Sequence, residues 1–115
     1  MDFKELKNKI KQIPTDTLRT DDETYFEAVF ENKYLEQVSP ILNLMLGLPA
    51  WPSTTKLSRE TNEAIKNFGG LRDNQTLYLL REPTYSYFAM FWPWQDGTHT
   101  TLKMGQIPSK QAVSK

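Results

Sequence analysis

The chain has 115 residues, with 14 Lys plus Arg against 14 Asp plus Glu, no cysteine and one histidine. Zero net charge removes the global argument for nucleic acid or an anionic membrane as partner. The missing cysteines exclude a disulfide framework, thiolate catalysis and zinc fingers, and one histidine excludes any site that needs two.

Apolar residues make up 38% and 14 residues are aromatic, which is lean for a globular protein but too rich for a disordered one. A chain of this size is one domain that buries roughly two-thirds of its unfolded surface. Residues 1–20 hold no apolar leader, and the longest nearly apolar run, Ile41 to Trp51, is about half a membrane span. The expectation is a cytoplasmic protein without membrane or nucleic-acid contacts. Charge is uneven along the chain: residues 1–13 carry +2, residues 14–36 carry −5, and residues 103–115 carry +3.

Phe3, Leu6, Ile10 and Ile13 recur at +3, +4, +3, one face of a helix that Pro14 stops. Asp2 and Glu5 suit its first turn, and Lys4, Lys7 and Lys11 form a solvated opposite face. Residues 24–38 admit two readings. Phe26, Val29, Phe30 and Tyr34 fit a helix face capped by Thr20, Asp21 and Asp22. The same stretch reads as two strands, Thr24–Phe30 and Tyr34–Val38. Helix is preferred because Glu27, Ala28, Glu31 and Lys33 are poor strand formers.

Ser39-Pro40 then opens a short apolar helix ended by Gly47. Leu35, Val38, Leu42 and Met45 keep a helical period across Pro40, so an earlier start with a bend is the variant reading. The prolines around Trp51 make an extended connector with the tryptophan as a core plug. Ser58 caps a third helix ending at Gly69-Gly70. Leu46-Gly47-Leu48-Pro49 followed by Asn67-Phe68-Gly69-Gly70 resembles part of the leucine-proline and glycine-glycine signature of a bacterial toxin-immunity superfamily. The match spans eight residues of types common at helix ends, and the chain is not assigned to it.

From Gln75 the period becomes 2. Gln75–Arg81 and Thr84–Trp92 read as strands, and both faces of the second are apolar, as in a central strand. Asp96-Gly97 is a hairpin turn, Thr98–Met104 returns, Gly105 closes the strand, and residues 106–115 form a mobile tail. The fold class is α+β: a single domain over 1–105, with N-terminal helices packed on an antiparallel meander of about three strands.

No phosphate loop, dinucleotide fingerprint, nucleophile elbow or zinc-protease motif is present, and no metal or cofactor is expected. Asp21-Asp22-Glu23 lacks the alternating oxygens of a calcium loop. Seven of the 14 aromatics fall between Tyr78 and Trp94. With Asp96-Gly97 as a two-residue loop, paired positions sum to 193. Trp94 then faces His99, Trp92 faces Thr101 and Met90 faces Lys103, all on one sheet face. Phe91, Leu102, Ala89 and Met104 share the other face, the core. Pro93 would oppose Thr100 at a hydrogen-bonded position, where it lacks the donor.

The functional expectation is a small non-enzymatic interaction module. It binds a protein partner or itself through the aromatic face and the acidic 16–36 segment. The alternative is a small-ligand domain with Trp92, Trp94, Tyr85 and His99 lining a pocket. A third is an enzyme using His99 with a nearby acid. Candidate binding residues are Trp92, Trp94, His99, Tyr85, Thr101 and Lys103.

Overall fold

The computed structural model describes residues 1–49 and 75–109. The Trp51 connector and the helix expected from Ser58 lie outside them. The described elements are α1 (Phe3–Lys11), β1 (Thr17–Asp21), β2 (Tyr25–Glu31), a 3-10 turn at Asn32–Tyr34, α2 (Leu35–Leu46), β3 (Thr76–Arg81), β4 (Tyr85–Pro93) and β5 (His99–Pro108). The strands form one antiparallel sheet in the order β1-β2-β5-β4-β3. The class is α+β, but the sheet has five strands where the meander accounts for three. β4, expected at the centre, lies one in from the edge, and β5 is central.

Of the two added strands, β2 comes from the stretch expected to be helical, and β1 from residues 17–21, of which only Thr20 and Asp21 were given a place, as a helix cap. In β2, Phe26, Ala28 and Phe30 alternate onto the helix-covered face, and all three are buried. Poor strand propensity is overridden because β2 is laddered on both sides, to β1 and to β5. Glu27 is accommodated because Tyr25 Oη and Arg19 Nη1 donate to its carboxylate at 2.7 and 3.2 Å. Asp22 does not cap a helix. Its Oδ1 accepts from the amides of Thr24 and Tyr25 at 3.0 and 2.8 Å, closing the β1–β2 turn.

α1 buries Phe3, Leu6 and Ile10 as its spacing predicts, and Asp2 Oδ1 caps it by accepting from the amides of Lys4 and Glu5. Its lysine face is not simply solvated. Lys7 and Lys11 both reach Asp21, at 2.9 and 2.6 Å, fastening α1 to the end of β1. α2 begins at Leu35 and runs through Pro40, the variant reading, with Val38, Leu42 and Leu46 buried. Pro40 and Glu36 are both exposed, so water can serve the carbonyl that proline leaves without a helical partner.

The main core lies between the helices and one sheet face, where Phe26, Phe30, Tyr78, Phe91, Leu102 and Met104 meet Phe3, Leu6, Ile10, Val38 and Leu42. On the opposite face Leu77, Phe88 and Met90 form a second buried cluster, with Tyr25, Leu79, Trp92 and Ile107 against it. The strand expected to close at Gly105 continues to Pro108, pairing Gln106 with Tyr87 and Ile107 with Ser86. Ser109 is buried, and its amide donates to the Thr84 carbonyl at 3.0 Å. The sheet therefore takes in the first part of the segment expected to be a tail.

Candidate functional site

The β4–β5 register sums to 193 throughout, from Tyr85↔Pro108 to Pro93↔Thr100. The Trp94 amide donates to the His99 carbonyl at 2.9 Å, so four residues, 95–98, separate the closing hydrogen-bonded pair, where a loop of two was expected. That assignment resolves the difficulty at Pro93. Pro93 and Thr100 form a non-hydrogen-bonded pair, where β5 asks for no donor, and the pairing of β3 begins at Phe91 and does not reach Pro93.

Strand parity then places Trp92, Trp94, His99, Thr101 and Lys103 on one face. Tyr85 does not join them. It has the opposite parity and pairs with Pro108 at the far end of β4. Trp92 is half-buried, with Lys103 Nζ 3.7 Å from its ring centroid. Its buried Nε1 has no partner among the described residues. Trp94 remains 38% exposed. Its Nε1 donates to buried Thr101 Oγ1 at 2.8 Å, and its ring lies 5.1 Å from the His99 ring at a 35° tilt.

Four residues outside the six candidates complete the setting. The Arg19 guanidinium lies 5.8 Å from the Trp94 ring centroid and is bonded to Glu27. Asp96 Oδ1 accepts from the amides of Thr98 and His99, and its Oδ2 lies 2.7 Å from His99 Nδ1. Asp16, in the α1–β1 connection, faces His99 Nε2 at 3.7 Å. Asn32 pins the hairpin: its amide donates to the Thr98 carbonyl, its Nδ2 to the Gly97 carbonyl, and Thr100 Oγ1 donates to its Oδ1. Arg19, Glu27 and Asp16 arrive through the β1–β2 pairing, so only that pairing could have revealed them. Asp96 offers a local signal, three residues before His99 on a tight turn.

The electrostatics follow from these contacts. The backbone amide of Thr98 and the His99 ring hold the Asp96 carboxyl down at about 2. The hydrogen bond to Asp96 raises His99 above its ordinary value, and the charges of Asp96, Asp16 and Glu31 act in the same direction. Lys11 and Lys7 lower Asp21. The acids of residues 16–36 are largely engaged within the chain, with Asp21 on lysines, Glu27 on Arg19 and Glu31 near Lys33.

An open cleft of about 630 Å³ lies elsewhere, lined by the start of α1, the β1–β2 turn and Gln106, and contains none of the six candidate residues. Among the described residues no group of three His, Cys, Asp or Glu is placed to hold a metal ion, and no helix is long and apolar enough to cross a membrane. No protein-family model matches the chain, and neither does any curated protein or solved structure.

Proposed function

We propose that the chain is a non-enzymatic interaction module that binds a protein partner through the sheet face around Trp94. The observation that carries this reading is an indole kept partly exposed yet held in one orientation by Thr101, His99 and Arg19. A large ring already ordered loses little entropy on contact, and Trp and Arg are the side chains most often found at the energetic centre of protein interfaces. Burying the exposed part of the ring is worth about 2 kcal/mol at most before association costs, so the surrounding polar side chains must share the contact.

The partner that the charge pattern fits is a second copy of the chain. Arg19 and His99 lie beside Asp16 and Asp96, so the patch presents both signs. A two-fold axis through Trp94 can set the cations of one copy against the carboxylates of the other. The chain's zero net charge adds no general repulsion.

A catalytic role for His99 fits the geometry less well. The Thr98 hydroxyl lies 3.0 Å from His99 Nδ1, but Asp96 holds the same nitrogen at 2.7 Å and Asp16 faces the other. With its Nδ1 hydrogen directed at Asp96, that nitrogen has no lone pair with which to take a proton from the hydroxyl. Sedimentation of the wild type and Trp94→Ala over a range of concentrations tests the proposal.

A further inference from the structure

The two ring nitrogens of His99 face carboxylates from different parts of the chain. Nδ1 meets Asp96 in the β4–β5 turn at 2.7 Å, and Nε2 meets Asp16 in the α1–β1 connection at 3.7 Å. We infer that His99 is a protonation-controlled latch joining the hairpin that carries Trp94 to the α1–β1 connection.

The latch depends on how many hydrogens the ring carries. The imidazolium has N–H on both nitrogens and attracts both carboxylates. On losing one proton, the ring keeps the hydrogen on Nδ1, where Asp96 is closer and is itself anchored by the amides of Thr98 and His99. Nε2 then presents a lone pair to the Asp16 carboxylate, and attraction becomes repulsion. The Asp16 backbone stays in place because its amide donates to the Val29 carbonyl at 2.9 Å. Its carboxylate can swing, since its other tie is the Thr17 hydroxyl at 3.1 Å. The Trp94 ring, tilted against His99, loses a cationic neighbour in the same step.

The other charges around His99 leave this logic intact. On β2, Glu31 pairs across from His99 and holds Lys33 at 3.6 Å. On β1, Arg19 sits over Trp94 and is tied to Glu27. Asp96, Asp16 and Glu31 together raise His99. The latch is therefore closed below the raised midpoint, as long as the carboxylates are ionised, and opens as pH rises through that midpoint. Any effect on partner binding rests on the reading of Trp94 given above, whereas the latch does not.

The test is a pH titration of the full chain by NMR. His99 is the only histidine, so its ring resonances report on it alone. The expected midpoint lies above the ordinary histidine value of 6.5. The amides of Asp16 and Thr17 should shift with the same midpoint. Asp16→Asn, which keeps an oxygen for Thr17, should move the midpoint down. His99→Gln should abolish the shared transition at residues 16 and 17. A midpoint unmoved by Asp16→Asn, or a transition at residues 16 and 17 that survives His99→Gln, overturns the latch. A chain that stays monomeric counts against the second-copy reading and leaves these arms as they stand. If the chain does associate, association should weaken above the midpoint in the wild type and lose that pH dependence in His99→Gln.

Discussion

The indole N–H of Trp94 donates to the hydroxyl of Thr101 at 2.8 Å, linking the last turn of the hairpin to a buried position on β5. The two residues are diagonal neighbours on one face, Thr101 being directly opposite Trp92. Thr101→Val keeps the shape and removes the acceptor. We expect a loss of about 0.5–1.5 kcal/mol, the ordinary worth of one hydrogen bond, measured in a denaturant melt. No change in stability or in the Trp94 indole resonance would mean that the bond does not hold the ring.

A second prediction concerns Gly105. It lies within β5, opposite Phe88 on β4, and a Cβ built there would overlap the fully buried Phe88 ring. That ring is not a flexible chain end that can yield. Gly105→Ala should therefore destabilise the protein by about 1–3 kcal/mol, as overpacking does. A melt within a few tenths of the wild type would show that the second cluster is looser than described.

Acid should loosen the hairpin in a defined window. Asp96 is held at about 2 in the folded chain, against an ordinary 3.8. A carboxyl with a lowered folded pKa contributes in full above its unfolded value. That contribution is lost as pH falls toward and through the folded value. The amides of Thr98 and His99, both bonded to Asp96, should therefore shift together with a midpoint near 2. Shifts centred near 3.8 would contradict the assigned contacts.

Much of the C-terminal half was legible because its signals are local. Asp96-Gly97 and the strict alternation on either side of it predict both the hairpin and its register. Residues 16–31 were not legible in the same way, for a physical reason. An Asp side chain that binds amides two and three residues on serves equally as a helix cap or as a turn, and at Asp22 the turn prevails. Phe26, Val29, Phe30 and Tyr34 fit a helical stripe, yet the ladder with β5 sets Val29 on the opposite face from Phe26 and Phe30. The site shows the same divide. Trp92, Trp94, His99, Thr101 and Lys103 were brought together by hairpin parity. Arg19 and Asp16 depend on β1, which neither the helical nor the two-strand reading included. Tyr85 is set apart from the tryptophans by its parity and by its place at the far end of β4.

The central claim, that Trp94 is a contact residue for a second copy, is tested most directly by sedimentation equilibrium over a wide concentration range. The measurement is made on the wild type, Trp94→Ala and Trp92→Ala, with denaturant melts of all three. The wild type should self-associate, and Trp94→Ala should weaken that association by about 1–3 kcal/mol, as truncation of an interface anchor does, while lowering the melt by about 0.5–1.5 kcal/mol through loss of the bond to Thr101. Trp92→Ala should instead lower stability, by about 2–3 kcal/mol, because its half-buried ring packs on the second cluster and under Lys103. A wild type that remains monomeric at high concentration, with both substitutions lowering stability equally, would show that both rings serve the fold and would contradict the claim.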